Sequence, residues 1–263
     1  MERIKNIFRE KGLLSIYFTA GYPELNDTVE IIKCLESSDV DLVEIGIPFS
    51  DPLADGTVIQ SSNEIALKNG MTLQLLFDQL KDIRKEVSVP LILMGYFNPV
   101  MQYGVEKFCA VCSKIGIDGV IIPDLPLDEY LFNYKTVFEK YGLANILLVT
   151  PATSDKRLKQ IDEESNAFIY FVSANSTTGN KDGIKESKRA YFNKAHQLNN
   201  PVLIGFGIKD HSSFREACVH ANGAIIGTAF INALKEGENF KEKIPEFIQK
   251  IKVNRGNNVI LKN

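Results

Sequence analysis

Residues 41–56 read Asp41-Leu-Val-Glu-Ile-Gly-Ile-Pro-Phe-Ser-Asp-Pro-Leu-Ala-Asp-Gly56. The first six have strand character and the rest form a turn-rich loop with two prolines. Leu42 and Glu44 share a parity and point to one face, while Val43 and Ile45 point to the other. A strand that is apolar on both faces belongs inside a covered, parallel sheet. A carboxylate in that setting is costly unless it has a partner or a task. The loop then brings Ser50, Asp51 and Asp55 close to the same strand end. Asp51 reads as a loop residue bonding nearby backbone amides. Glu44 together with Asp55 reads as chemistry.

Outward from this stretch the pattern repeats eight times. The strand candidates are Leu13–Ala20, Asp41–Gly46, Pro90–Tyr96, Gly119–Asp124, Asn145–Thr150, Phe168–Ser173, Val202–Gly207 and Ala224–Thr228. Helical periodicity falls at Thr28–Ser37, Leu73–Glu86, Val105–Ile115, Glu129–Tyr141, Asp155–Glu164, Arg189–Leu198, Ser212–His220 and Asn239–Lys252. Asp27, Thr72 and Ser154 stand where N-caps belong, and Gly116 and Gly142 follow helix ends. Strict alternation implies parallel strands with crossover helices. Eight units in 263 residues fit one closed (β/α)8 TIM barrel spanning residues 1–263 as a single domain. A doubly wound open sheet is the other reading, but Thr19-Ala-Gly-Tyr-Pro23 lacks its glycine fingerprint. An extra N-terminal helix, Glu2–Lys11, carries Ile4, Ile7 and Phe8 on one stripe. It either closes the bottom of the barrel or lies on the surface.

Bulk properties narrow the function classes. A net charge of −3 gives no electrostatic reason to expect nucleic acid or an anionic membrane as partner. No apolar run has the length of a membrane span and Met1–Asn6 lacks a signal-peptide core, so a cytoplasmic protein is expected. Cys109 and Cys112 form a C-x-x-C pair, but they sit at i and i+3 of a helical pattern without further ligands. Buried small hydrophobes explain them better than zinc or redox chemistry.

In a barrel of this kind the site lies at the C-terminal strand ends. The seventh ends Gly205-Phe-Gly207. The eighth ends Ile226-Gly-Thr228 and runs into a short helical stretch, Ala229–Leu234. Glycines let backbone N–H groups approach an anion, and a helix beginning at Thr228 adds unpaired amides and a hydroxyl. Neither segment contains Lys or Arg, so amides are expected to hold the phosphate. The sixth strand carries Tyr170 into Ser173–Gly183, which reads as a lid or as a solvated connection.

Taken together these residues resemble the tryptophan synthase alpha subunit family. The likeness rests on Glu44-Ile-Gly-Ile-Pro-Phe-Ser-Asp-Pro-Leu-Ala-Asp-Gly56, followed in matching order by Thr178-Gly179, Gly205-Phe-Gly-Ile208 and Gly227-Thr-Ala229. It implies cleavage of indole-3-glycerol phosphate to indole and glyceraldehyde 3-phosphate. It also implies a beta subunit, in an alpha2beta2 assembly, that carries pyridoxal phosphate; this chain itself would need no metal or organic cofactor. Under that resemblance Glu44 handles the proton traffic, Asp55 accepts the indole N–H, and Tyr170 bonds the glycerol hydroxyl or Glu44. Tyr17, Ile59, Met94, Tyr96, Ile121 and Phe206 are candidates to sandwich the indole, with Thr178 beside the substrate. Gly179, Gly207, Gly227 and Thr228 are the phosphate candidates. The chain departs from the family pattern at Ser176 and Thr177 in the lid, and in having Thr228 for the more usual serine. A free-standing lyase, or a subunit that mainly activates a beta enzyme, are the alternatives; Glu44 and Asp55 speak against the latter. Pro48 and Pro52 stiffen the Asp55 loop, which makes it a candidate docking surface.

Overall fold

The computed structural model describes residues 2–172, 189–205, 207–235 and 239–252. Its strands are β1 (Leu13–Thr19), β2 (Leu42–Gly46), β3 (Leu91–Met94), β4 (Gly119–Ile121), β5 (Ala144–Asn145), β6 (Leu147–Val149), β7 (Ile169–Val172), β8 (Val202–Gly205) and β9 (Gly223–Ile226). All pairings are parallel, in the order β5-β4-β3-β2-β1-β9-β8-β7-β6. β5 and β6 are one barrel strand interrupted at Ile146, whose N–H still bonds Val120 O at 2.9 Å. The sheet therefore closes through this strand, with β5 on β4 and β6 on β7.

The register confirms closure. From Leu13 the partners run through Gly223, Leu203 and Tyr170 to Leu148. From Tyr17 they run the other way through Glu44, Ile92 and Gly119 to Ala144. The two paths are offset by about four residues on each shared strand, so one circuit slips the register by about eight, the shear of an eight-stranded barrel.

Alternate side chains feed two cores. Leu13, Leu42, Ile92, Ile121, Phe168 and Leu203 fill the barrel interior. Leu14, Val43, Leu91, Phe171 and Ile204 meet the surrounding helices. Glu44 has the parity of Leu42 and so faces inward, as its position in the sequence requires. The N-terminal helix, Glu2–Ile7, is the plug rather than a surface element. Ile4 is fully buried among the interior residues, and Phe8 packs on Phe168 with ring centroids 5.5 Å apart. Burying Ile4 contributes about 2 kcal/mol. Arg3 and Arg84 both pair with the buried Asp118, at 3.0 and 2.6 Å, which ties the plug to the third and fourth barrel strands.

Each expected strand is present, but most run long at the C-terminal end: Pro90–Tyr96 shortens to β3 and Gly119–Asp124 to β4. Those end residues leave the ladder to build the rim. Two helices escaped the sequence reading, Thr57–Lys68 and Phe97–Tyr103. In the first, Ser62 and Asn63 occupy buried positions and interrupt the apolar stripe; both bond Ile59 O. In the second, Pro99 suggests a break. It stands in the first turn, where its missing N–H has no intrahelical acceptor to lose. Leu73–Glu86 ends its α-helix at Leu80 before a 3-10 turn at Ile83–Lys85. Glu129–Tyr141 contains a π-helical turn, Tyr130–Tyr134. Thr72 and Ser154 cap as expected, accepting from Leu75 and Arg157 N–H, whereas the Asp27 side chain makes no cap bond. Cys109 and Cys112 are buried, with burial pushing both thiols up.

Candidate active site

Glu44 stands on β2 beside Tyr17 of β1 and is 0% exposed. Ser15 Oγ donates to its Oε1 at 2.7 Å. Among the described residues Oε2 has no hydrogen-bond partner. Burial pushes the carboxyl pKa up to about 7, against the Ser15 bond, which favours the ionised form. A carboxyl poised there exchanges protons readily in either direction near neutral pH.

Asp55 reaches the site from the loop after β2. Its Oδ2 accepts from the Tyr96 hydroxyl at 3.3 Å, and that hydroxyl in turn accepts the Ala54 N–H at 2.9 Å. Partial burial raises the Asp55 pKa, and the Tyr96 bond works against the rise. Burial, with Asp55 nearby, raises Tyr96 to about 12, so it stays a neutral donor. Tyr96 thus differs from its expected role as an apolar wall: its hydroxyl fixes Asp55. Asp51 is exposed and accepts from the Ser50 hydroxyl rather than from a backbone amide.

Tyr17 and Tyr170 are buried inward-facing tyrosines whose hydroxyls stay protonated, chiefly through burial and also through the nearby acidic groups. Each interacts electrostatically with both Glu44 and Asp55. Each also lies across a glycine, Tyr17 over Gly46 and Tyr170 over Gly205, where any side chain would collide with the phenol.

These residues meet at a cavity of about 710 Å³. Tyr17, Asp55, Ile59, Met94, Tyr170, Gly207, Gly227 and Thr228 all line it, with Gly227 against the Tyr17 side chain. Gly207 has φ +77°, which only glycine adopts without strain. Thr228 opens the helix Thr228–Lys235, whose first amides have no intrahelical acceptors. Two expectations shift. Ile121 is fully buried in the barrel interior and does not line the cavity, so it is filler. Glu44 does not line it either; it sits next to the wall, against Tyr17 and Tyr170. Phe206, Thr178 and Gly179, with Ser176 and Thr177, lie outside the described residues.

The structure adds residues that the sequence reading passed over. Lys209, Lys243 and Lys250 also line the cavity, Lys250 paired with Glu246 at 2.8 Å. Only Lys209 had a local signal, two residues after Gly207. Ser15 also had one: a lone small polar residue at an inward position in Leu-Leu-Ser-Ile-Tyr. No group of three metal-binding side chains occurs among the described residues.

The sequence model of the tryptophan synthase alpha chain family matches residues 5–258. The tryptophan synthase alpha chain of Flavobacterium johnsoniae is 56% identical over 255 residues, covering 96% of this chain and 100% of its own. That of Parabacteroides distasonis is 49% identical over 256 residues, covering 96% of this chain and 100% of its own. Among solved structures, tryptophan synthase subunit alpha from Legionella pneumophila superposes with a TM-score of 0.85 at 33% identity, over 95% of this chain and 97% of that one. A chain of the tryptophan synthase complex from Pyrococcus furiosus gives 0.83 at 31% identity, over 92% and 98%.

Proposed function

The chain belongs to the tryptophan synthase alpha chain family, and on that premise we propose how its residues divide the work. The family reaction is cleavage of indole-3-glycerol phosphate to indole and glyceraldehyde 3-phosphate, with a beta subunit as partner. One observation carries the assignment. A single cavity is lined both by Asp55 and the tyrosines that flank Glu44 and by Gly207, Gly227 and the Thr228 helix start. A flat heterocycle joined through a short polar chain to a phosphate fits that lining.

Glu44 reaches the substrate past the wall of Tyr17 and Tyr170, enters protonated and gives its proton to the indole carbon that bears the glycerol chain. Asp55 accepts the ring N–H and stabilises the positive charge that builds on the ring. The Glu44 carboxylate then takes the proton of the adjacent side-chain hydroxyl. The carbon–carbon bond breaks, its electron pair restores the aromatic ring, and the hydroxyl carbon becomes the aldehyde. One proton moves from hydroxyl to ring carbon, and Glu44 ends as it began. Tyr170 donates to the glycerol oxygen or to Glu44. Gly207, Gly227 and Thr228 hold the phosphate through amides and one hydroxyl, with Lys209 adding charge.

Proton transfer alone balances this step, so the reading assigns this chain no cofactor and leaves pyridoxal phosphate to the beta subunit. The docking surface on this reading is the loop with Pro48 and Pro52, where Leu53 is 90% exposed. No helix among the described residues is long and apolar enough to cross a membrane, and the reading places this one-domain barrel in the cytoplasm. Turnover of indole-3-glycerol phosphate by Glu44→Gln tests the assignment. Loss of nearly all cleavage with the Michaelis constant kept is expected, and full turnover removes Glu44 from the mechanism.

A further inference from the structure

The Ser15–Glu44 contact has no part in the scheme above, and its geometry sets it apart from packing. Both side chains are fully buried, on adjacent strands. Ser15 is paired with Leu42, one inward position nearer the N-terminal rim than the Tyr17–Glu44 pair. It therefore holds Oε1 from the side of the N-terminal rim. The second oxygen is buried and, among the described residues, makes no hydrogen bond.

We infer that Ser15 is a positioning residue of the cleavage reaction: it holds Oε1 and leaves Oε2 as the oxygen that exchanges the proton with substrate. This rests on Glu44 being the proton carrier. A carboxyl with both oxygens free would rotate about its last torsion, which is broad, and present either oxygen in either orientation. Fixing one oxygen removes that freedom before substrate arrives. The bond also stabilises the carboxylate that Glu44 becomes after protonating the ring. The other titratable groups that face Glu44 are Tyr17 from β1 and Tyr170 from β7, with Asp55 facing those two tyrosines from the loop. The tyrosines remain neutral, and Ser15 supplies the one described hydrogen bond to this carboxyl.

The test measures cleavage against pH for the chain assembled with its beta subunit, comparing Ser15→Ala, Ser15→Thr and Ser15→Cys. Ser15→Ala is expected to lower kcat by about tenfold at neutral pH with the Michaelis constant within about twofold. It should also move the alkaline limb of the kcat profile up by about one pH unit, because the carboxylate loses its donor. Ser15→Thr keeps a hydroxyl and should restore both. Ser15→Cys, near-isosteric and a weak donor, should fall between them, and it preserves the comparison if the alanine variant accumulates poorly. An unchanged limb and kcat in the alanine and cysteine variants would overturn the inference, as would equal loss in the threonine variant. Failure of the underlying reading looks different: Glu44→Gln would then turn over normally whatever occupies position 15.

Discussion

The phenol of Tyr170 lies across the backbone of Gly205 on the neighbouring strand, close enough that a methyl group there would overlap its hydroxyl and ring carbons. Tyr170 keeps its place because Gly205 has no side chain. Gly205→Ala should therefore displace the tyrosine, cost about 1–3 kcal/mol of stability through overpacking, and reduce cleavage. Shortening the blocking residue, as in Gly205→Ala with Tyr170→Leu, should recover the stability but not the turnover. Denaturant midpoints of the two single variants and the double variant form the cycle that checks this. Additive losses would show that the two positions do not collide.

The two carboxyl groups should give the reaction a bell-shaped pH profile. Glu44 must start protonated, and its pKa is pushed up to about 7 by burial, so activity should fall as pH rises through that value. Asp55 must be ionised to accept the ring N–H. Burial raises its pKa above the ordinary aspartate value, so activity should fall as pH drops through that raised value. Tyr96→Phe removes the hydroxyl that favours the Asp55 carboxylate and should move the acid limb to higher pH. The pH dependence of kcat/KM for the two proteins reads both limbs. An acid limb that stays in place in the variant would detach it from Asp55.

How much of this was legible in the sequence follows from what each signal measures. Parity alone placed Glu44 inside the barrel, because a strand side chain has two choices of face and Leu42 shares its side. Glycines at strand ends pointed to Gly207 and Gly227, and both line the cavity. The helix Thr57–Lys68 was hidden because its buried face includes Ser62 and Asn63, which satisfy themselves on Ile59 O; periodicity of apolar residues cannot register a buried polar one. Tyr96 looked apolar because its hydroxyl partner, Asp55, is 41 residues away. Lys243 and Lys250 reach the cavity from the last helix, and nothing local in that helix says which strand ends it will face.

Thr228 separates binding from chemistry. Thr228 opens the Thr228–Lys235 helix and lines the cavity. Thr228→Ala should weaken substrate binding by about 1 kcal/mol, roughly fivefold in the Michaelis constant, with kcat kept. Thr228→Ser should bind as the parent does. Steady-state kinetics with indole-3-glycerol phosphate decide it, and an unchanged constant in the alanine variant would remove the hydroxyl from the phosphate site.

A carboxyl kept in a dry barrel for its chemistry should cost the fold something, and the cost has a predictable pH dependence. The folded pKa of Glu44, about 7, lies above the 4.5 of an unstrained glutamate. Below the lower value both states carry the proton, and burying Glu44 loses nothing to ionisation. Between the two values the unfolded chain releases a proton that the folded chain retains, so stability falls as pH rises. Above about 7 the loss is complete, at about 3 kcal/mol. Glu44→Gln cannot ionise and keeps a carbonyl oxygen for Ser15. Its melting temperature should match the parent near pH 4.5, rise above it progressively, and hold a constant lead beyond about pH 8. Thermal unfolding of both proteins across that range reads the difference directly. A parent whose advantage over the variant grows as pH rises would mean that Glu44 is ionised and well paired in the fold, and a carboxyl in that state could not begin the reaction as an acid.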